Sequence, residues 1–355
     1  MELSELSANF PKALDSPLCW SGSKYESDDS YILALDDEDK AELEQALKHF
    51  KSLGIDGDLV SKDSFPLRKL AAKLDSMRHD IYNGRGFGLV RGLDVDKFSL
   101  EDLTTIYLGV QIHIGNKFGR QDKKGNMLVH IVANDSSDVA AEHHRHSTAP
   151  ITFHNEESGD VVSWFTKNTA SSGGKCIIAS AYTVYNVIAA TRPELIRVLA
   201  RADWPFALPK FHCRPIIHYQ DGKLITNFGR TPLIGSAAHP RPSDLPQLSP
   251  IQVEALDAIE DIAKATQLEI ATQPGDIHFI NNFAILHRRE GFVDSSEMNQ
   301  RRHMIRTRLR DDELGWNVPE SLASEWERAF GSSGSKLWHL EPMPEGFFPL
   351  RGHAN

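Results

Sequence analysis

From Leu128 to Ile234 the chain is cut into short β-branched or aromatic runs by Gly, Pro, Asn and Ser, and this punctuation constrains the fold more than any other feature. The runs Leu128 to Val132, Thr152 to His154, Val161 to Phe165, Lys175 to Ala179, Arg214 to Tyr219 and Lys223 to Phe228 each have strand length. Strands resume at Leu268 to Ala271, Ile277 to Ile280 and His303 to Arg308, and Phe87 to Leu93, bounded by glycines, is the first core strand. Many short strands with turn residues between them argue for a sandwich or barrel.

Helices flank and interrupt this pattern. Leu43, Leu47, Phe50 and Leu53 have helical spacing among charges, and Phe65 to Tyr82 carries a second amphipathic stretch. Ser99 caps a helix running toward His113, with Asp102 in its first turn. One helix is expected from Ala181 through Ala200 and another from Ser249 to Thr266, with Val253, Leu256, Ile259 and Ala263 on its apolar face. A prior of about 150 residues per domain would divide 355 residues in two, yet β-rich folds fill this length as one. The expectation is one structural domain: an irregular and helical extension over 1–80, a core over 81–330, and an aromatic tail over 331–355 behind the flexible joint Gly331-Ser-Ser-Gly-Ser.

The net charge of −10 and the absence of a basic block argue against nucleic acid or an anionic membrane surface as partner, because counterion release needs clustered Lys or Arg. Cys19, Cys176 and Cys213 are odd in number and form no CxxC pair, which points to a reducing, cytoplasmic setting. The acidic N-terminus is unlike a signal peptide, and the most apolar stretch, Ile177 to Ala190, falls short of the roughly 20 residues a membrane span needs. The unusual count is 16 histidines, which raises the question of metal.

In His154-Asn155-Glu156 a strand period of two puts the imidazole and the carboxylate on one face. A second, distant His would complete a two-His-one-carboxylate triad, which binds a divalent first-row metal and leaves positions open. The triplet alone is weak in a chain rich in His and Glu. Downstream, Pro274-Gly275-Asp276 makes a turn, a strand follows, and His287 lies just beyond it, five residues after Asn282. Arg302 and Arg306 follow, spaced to share one strand face, where each guanidinium can grip a carboxylate.

From about Gly86 to Asp311 the chain resembles the taurine dioxygenase-like Fe(II)/2-oxoglutarate oxygenases, the clavaminate synthase-like and fungal-type members in particular. The resemblance is carried by Arg85-Gly-Phe-Gly-Leu-Val-Arg-Gly-Leu93, Phe153-His-Asn-Glu156, Ser172-Gly-Gly-Lys-Cys176, Pro274-Gly-Asp276 through His287, and Arg301-Arg-His-Met-Ile-Arg306 in that order. It implies a mainly β double-stranded β-helix (jelly roll) with flanking helices. His154, Glu156 and His287 would ligate Fe(II), Arg302 would bind the far carboxylate of 2-oxoglutarate, and Arg306 would lie beside cosubstrate and substrate. Oxygen would be consumed, 2-oxoglutarate converted to succinate, and a small molecule hydroxylated, desaturated or cyclised.

Two positions depart from the common pattern: Glu156 stands where most members have Asp, and Cys176 where many have a Thr that helps hold 2-oxoglutarate. Asn282 could orient the triad or merely shape a turn. His278 reads as a satisfied histidine of the core or behind the metal ligands, His143 to His146 as a polar segment near the site mouth rather than a metal cluster, and Phe347 and Phe348 as core aromatics or part of a lid, the core reading being ahead. The expected substrate is a small carboxylate-bearing or amino-acid-derived metabolite, with a fungal enzyme of secondary metabolism that makes an aziridine from L-valine as analogue. Two rivals stay open, a zinc-type hydrolase using the same three ligands and a jelly roll that binds small molecules without chemistry. Oligomeric state is not legible.

Overall fold

The structure is a computed structural model that describes residues 9–133, 147–207, 210–236, 240–297, 300–338 and 340. Eleven strands make its two main sheets: β1 Ile32–Ala34, β2 Phe87–Arg91, β3 Lys117–Gly119, β4 Val129–Val132, β5 Ile151–His154, β6 Val161–Asn168, β7 Cys176–Ser180, β8 Leu268–Ile270, β9 Ile277–Asn281, β10 Ile285–Arg289 and β11 His303–Arg310. The larger sheet has the order β1-β2-β9-β6-β11-β3, and β4 shares the outer edge of β11 with β3. The smaller sheet has the order β8-β7-β10-β5 and is antiparallel throughout.

The period of two decides which side chains meet. Val162, Trp164 and Ile280 of the larger sheet join Cys176, Ile178 and Ile285 of the smaller one in a core between the sheets, which Trp20, Tyr25, Tyr31 and Phe87 extend. Phe165, Ile277 and Phe279 point the other way, into a second core with Leu74, Ile106 and Tyr107 from the covering helices. This is a jelly roll, mainly β with flanking helices.

The helices follow local chemistry. Asp36 and Asp39 form a capping box at the start of α1 (Asp37–Leu53), and Gly54 ends it in the left-handed region at φ 63°. α2 covers Lys69–Asn83, starting later than expected because Pro66 disfavours helix at Phe65. Ser99 caps α3 (Leu100–Gln111) by accepting from the Asp102 amide at 3.1 Å. The helix expected over Ala181 to Ala200 is two, α4 (Ala181–Thr191) and α5 (Pro193–Leu199), because Pro193 lacks the amide needed to continue and Arg192 turns out at φ −143°. α6 (Pro250–Thr266) buries Ala255, Leu256, Ile259 and Ala263, while Val253 is 38% exposed and falls outside the apolar face.

Other expectations change too. The run Arg214 to Tyr219 is not one strand; pairing there covers His212–Cys213 and Ile217–Gln220. β1 lies in the segment read as an extension and pairs in parallel with β2, so that segment adds an edge strand to the larger sheet. The Gly331 to Ser335 joint is pinned, since Arg120 donates to the carbonyls of Gly331, Gly334 and Ser335 at 2.9, 3.2 and 3.1 Å. Phe347, Phe348 and His143 to His146 lie outside the described residues.

Candidate metal centre

His287 lies beyond β9 as expected, in the middle of a further strand, β10, and its partner in register on β5 is His154. That pairing brings the two imidazoles to a centroid separation of 4.2 Å. The His154 Nδ1 shares a hydrogen bond with the Thr152 carbonyl at 2.9 Å, leaving Nε2 for Glu156, 4.0 Å away. Glu156 Oε1 is 3.8 Å from His287 Nε2, and one ligand atom from each of the three residues lies within 4.8 Å of the others.

The Glu156 backbone is fixed by its neighbours. Its amide donates to Asn282 Oδ1 at 2.8 Å, and Asn282 Nδ2 donates to the carbonyls of Glu156 and Gly159 at 3.1 and 3.0 Å. The intervening Asn155 accepts from the Phe228 amide at 3.0 Å and donates to the carbonyls of Asn282 and Ile285 at 2.7 and 3.1 Å. Asn282 therefore organises the segment that carries the carboxylate.

The Glu156 side chain meets two arginines of β11. Arg306 Nη1 donates to Oε1, and Arg308 Nη2 donates to Oε2 at 3.2 Å. Burial alone would raise this carboxyl; the Arg306 charge, the His287 hydrogen bond and the Arg308 and His154 charges outweigh it and hold the group well below the usual carboxylate range. Arg306 lines the cavity with its guanidinium already engaged. It rests on Glu156 and on Gln121 Oε1, 3.2 Å away.

Trp164 lies beneath the cluster, stacked on His287 at 5.9 Å and on His278 at 5.2 Å. His278 is buried, which lowers its pKa to about 4 and keeps it neutral, and its Nε2 has no hydrogen-bond partner among the described residues. It is a core histidine held by stacking, rather than by the satisfied hydrogen bonds expected.

Beside the triad, Arg302 is 7% exposed and Arg289 likewise, both guanidiniums lying 5.1 Å from the Phe292 ring centroid. Burial lowers Arg302 to about 10, and burial with the like charge of Arg302 lowers Arg289 to about 9, so both stay charged at neutral pH. Arg302 Nη1 is buried with no hydrogen-bond partner among the described residues. A cation without a counter-anion at such depth is costly, and it fits a bound carboxylate. Gly174, at φ 72°, makes room, since a Cβ there would sit 3.3 Å from Arg302 Nε. Cys176 lines the same cavity, and burial pushes its thiol up to about 12, so it stays protonated and weakly donating. Asp276 of the Pro-Gly-Asp turn is structural, holding Arg91 through two hydrogen bonds of 2.9 and 2.8 Å.

The triad and Arg302 open on one cavity of about 500 Å³. The donor set of two imidazoles and a carboxylate fits a ferrous ion, and the Arg302 Nη1, free among the described residues, fits an acid that chelates it. The family model for taurine catabolism dioxygenase TauD, TfdA family matches residues 49–308. The chain belongs to the TauD/TfdA family. As a TauD/TfdA member it is a non-heme iron dioxygenase that uses Fe(II), 2-oxoglutarate and O2. It is 31% identical over 345 residues to the taurine hydroxylase-like protein SAT17 of Stachybotrys chartarum, covering 93% of this chain and 89% of that one. In fold it is similar to an asparagine oxygenase bound to Fe(II), 3-hydroxyasparagine and succinate (TM-score 0.64, 15% identity, 81% of this chain and 98% of that one). It is also similar to the non-heme iron oxygenase OrfP bound to Fe and α-ketoglutaric acid (TM-score 0.57, 14% identity, 79% and 94%).

Three cavity residues escaped the sequence reading. Arg308 continues the alternation of Met304 and Arg306 on β11, a signal that was available; Arg289 stands two residues after His287 on β10 for the same reason. Arg214, with no regular strand around it, gave no such signal.

Proposed function

We propose that this TauD/TfdA dioxygenase oxidises a small, carboxylate-bearing metabolite derived from an amino acid, by hydroxylation, desaturation or ring closure. His154, Glu156 and His287 hold Fe(II), and Arg302, with Arg289 beside it, receives the far carboxylate of 2-oxoglutarate. The observation that carries the reading is the buried Arg302 guanidinium, whose Nη1 has no hydrogen-bond partner and which has no ion pair among the described residues, in the same cavity as the three-ligand cluster. A zinc hydrolase has no use for that cation. When bound, iron and 2-oxoglutarate supply the oxidation, coupling decarboxylation of the cosubstrate and reduction of O2 to attack on a substrate C–H bond.

The protein's own part is placement. Asn282 and Asn155 set the position of Glu156, and the β5–β10 register sets the imidazoles. Arg306 and Arg308 neutralise Glu156 until a metal takes over that charge, which leaves Arg306 available beside cosubstrate and substrate. Trp164 and Phe292 wall the cations from bulk water and strengthen each charge pair. The cytoplasm suits the three unpaired cysteines, and no helix among the described residues is long and apolar enough to cross a membrane.

Amino-acid chemistry is supported by the similar structures, which hold hydroxylated asparagine and arginine. The fungal relative keeps secondary metabolism, and L-valine as a test compound, in view. Adding 2-oxoglutarate anaerobically to the Fe(II) protein should give a weak metal-to-ligand charge-transfer band. Succinate release should then rise with at least one amino acid or sulfonate; a protein without the band, or one hydrolysing substrate with zinc, contradicts the proposal.

A further inference from the structure

The charge of the cavity is opposite to that of the chain. Of the 26 described residues lining it, eight are Lys or Arg and two are Glu, in a protein of net charge −10. Most of these cations have partners that account for them. Arg306 and Arg308 rest on Glu156, Arg230 on Asp257 at 2.7 Å and Lys175 on Glu269 at 2.8 Å, Arg288 donates to Gln267 Oε1 at 3.0 Å and lies over the Phe153 ring, and Arg302 and Arg289 form the cosubstrate pair.

Arg214 remains. It reaches the cavity between the pairing segments His212–Cys213 and Ile217–Gln220, away from the strands that carry the triad and Arg302. Its residue is 5% exposed, its guanidinium carbon lies 4.9 Å from the Phe206 ring centroid, and Phe206 is itself stacked flat on His212 at 5.3 Å. Glu325 Oε1 forms a buried ion pair with Nη1 at 3.1 Å, while Nε is buried without a hydrogen-bond partner among the described residues. Glu325 also divides its charge, standing 3.4 Å from Arg328, which in turn reaches Glu157. Burial lowers Arg214 from its ordinary value more than Glu325 and Glu157 raise it. A planar fork held from behind by an aromatic ring, with Nε unused and its carboxylate partner shared with Arg328, can receive a planar anion.

We propose that Arg214 binds the carboxylate of the primary substrate and so sets the enzyme's preference for acids, an assignment that rests on the dioxygenase reading above. Two acids then occupy one cavity on separate cations, 2-oxoglutarate on Arg302 and the substrate on Arg214. Arg214 is a binding and specificity residue that sorts acids from their neutral analogues before any bond changes.

The test uses the full chain, loaded anaerobically with Fe(II) and 2-oxoglutarate, titrated with each proteinogenic L-amino acid and with the matching α-carboxamide. Calorimetry and perturbation of the charge-transfer band report binding. At least one acid is expected to bind tenfold or more tighter than its amide. Arg214→Gln should weaken that acid at least tenfold and leave the amide unchanged, and Arg214→Lys should recover part of the preference. Titration of 2-oxoglutarate into the Fe(II) form of either variant should match the parent, which shows that the site is intact and that the lost acid is not the cosubstrate. An unchanged acid-to-amide ratio in Arg214→Gln, or no acid binding to the parent, overturns the proposal. Absence of the charge-transfer band from the parent instead overturns the dioxygenase reading beneath it.

Discussion

His154 and His287 are direct partners in the antiparallel register of β5 and β10, with ring centroids 4.2 Å apart. Two imidazoles from positions 133 residues apart in the chain are thereby placed by backbone pairing rather than by a flexible loop. The third ligand arrives differently, on a segment after β5 held by Asn282.

Removing a ligand should therefore separate metal binding from folding. His154→Ala is expected to abolish turnover and weaken Fe(II) by more than the ~10–100-fold typical of outer hydrogen-bond partners. Glu156→Ala should also destabilise the metal-free protein by about 3 kcal/mol, because Arg306 and Arg308 lose a buried counter-charge. Metal titration and denaturant unfolding of the apo forms check both; equal stability of Glu156→Ala and the parent contradicts the second.

Asn282→Ala deletes three hydrogen bonds around Glu156 without touching a ligand atom. Fe(II) affinity should fall ~10–100-fold and stability by about 2 kcal/mol. An unaltered metal affinity would confine Asn282 to shaping the turn.

Arg302→Gln should weaken 2-oxoglutarate by at least ~30-fold, the equivalent of about 2 kcal/mol for a truncated buried charge pair. Fe(II) binding should be unaffected. Titration of the charge-transfer band measures the first and calorimetry with metal alone the second.

Asp160 predicts a pH dependence. Burial raises its carboxyl to about 7 even though Arg310 and Trp326 donate to Oδ1, and Oδ2 has no hydrogen-bond partner among the described residues. Its unfolded value is about 3.9, so between pH 4 and 7 the folded chain holds a proton that the unfolded chain has released. Stability contributed by this site is thus full below pH 4, falls as pH rises to 7 and then levels off. Asp160→Asn should match the parent near pH 4 and exceed it above pH 7, seen by denaturant melts of the metal-free proteins. A pH-independent difference between the two would refute the assignment.

The parts of the site that the sequence disclosed were those fixed by short-range periodicity. His154 and Glu156 are two apart and Arg302 and Arg306 four apart, a spacing that pointed each pair to one side, although Glu156 lies just past the end of β5 and Arg302 just before β11. His287 was found without its strand, because Arg288 and Arg289 give β10 a polar end that reads as a loop. Its charged face looks into the cavity, and only the second sheet makes that environment visible. The capture of Glu156 by Arg306 depends on β11 of the larger sheet reaching a ligand anchored to the smaller one, a tertiary relationship with no local signature. Pro193 was different: the break it makes between α4 and α5 was written in the sequence and was outweighed by apolar spacing on both sides.

The register that opposes His154 to His287 has a bearing on how the enzyme matures. Slipping β5 by one residue would turn His154 to the far face of its sheet, away from His287 and from the Glu156 carboxylate that Asn282 holds in place. A chain so paired would turn the buried Phe153 out of the core and would have no set of ligands. Iron uptake by newly made chains then proofreads strand alignment, since only correctly paired molecules gain the added stability of the bound ion.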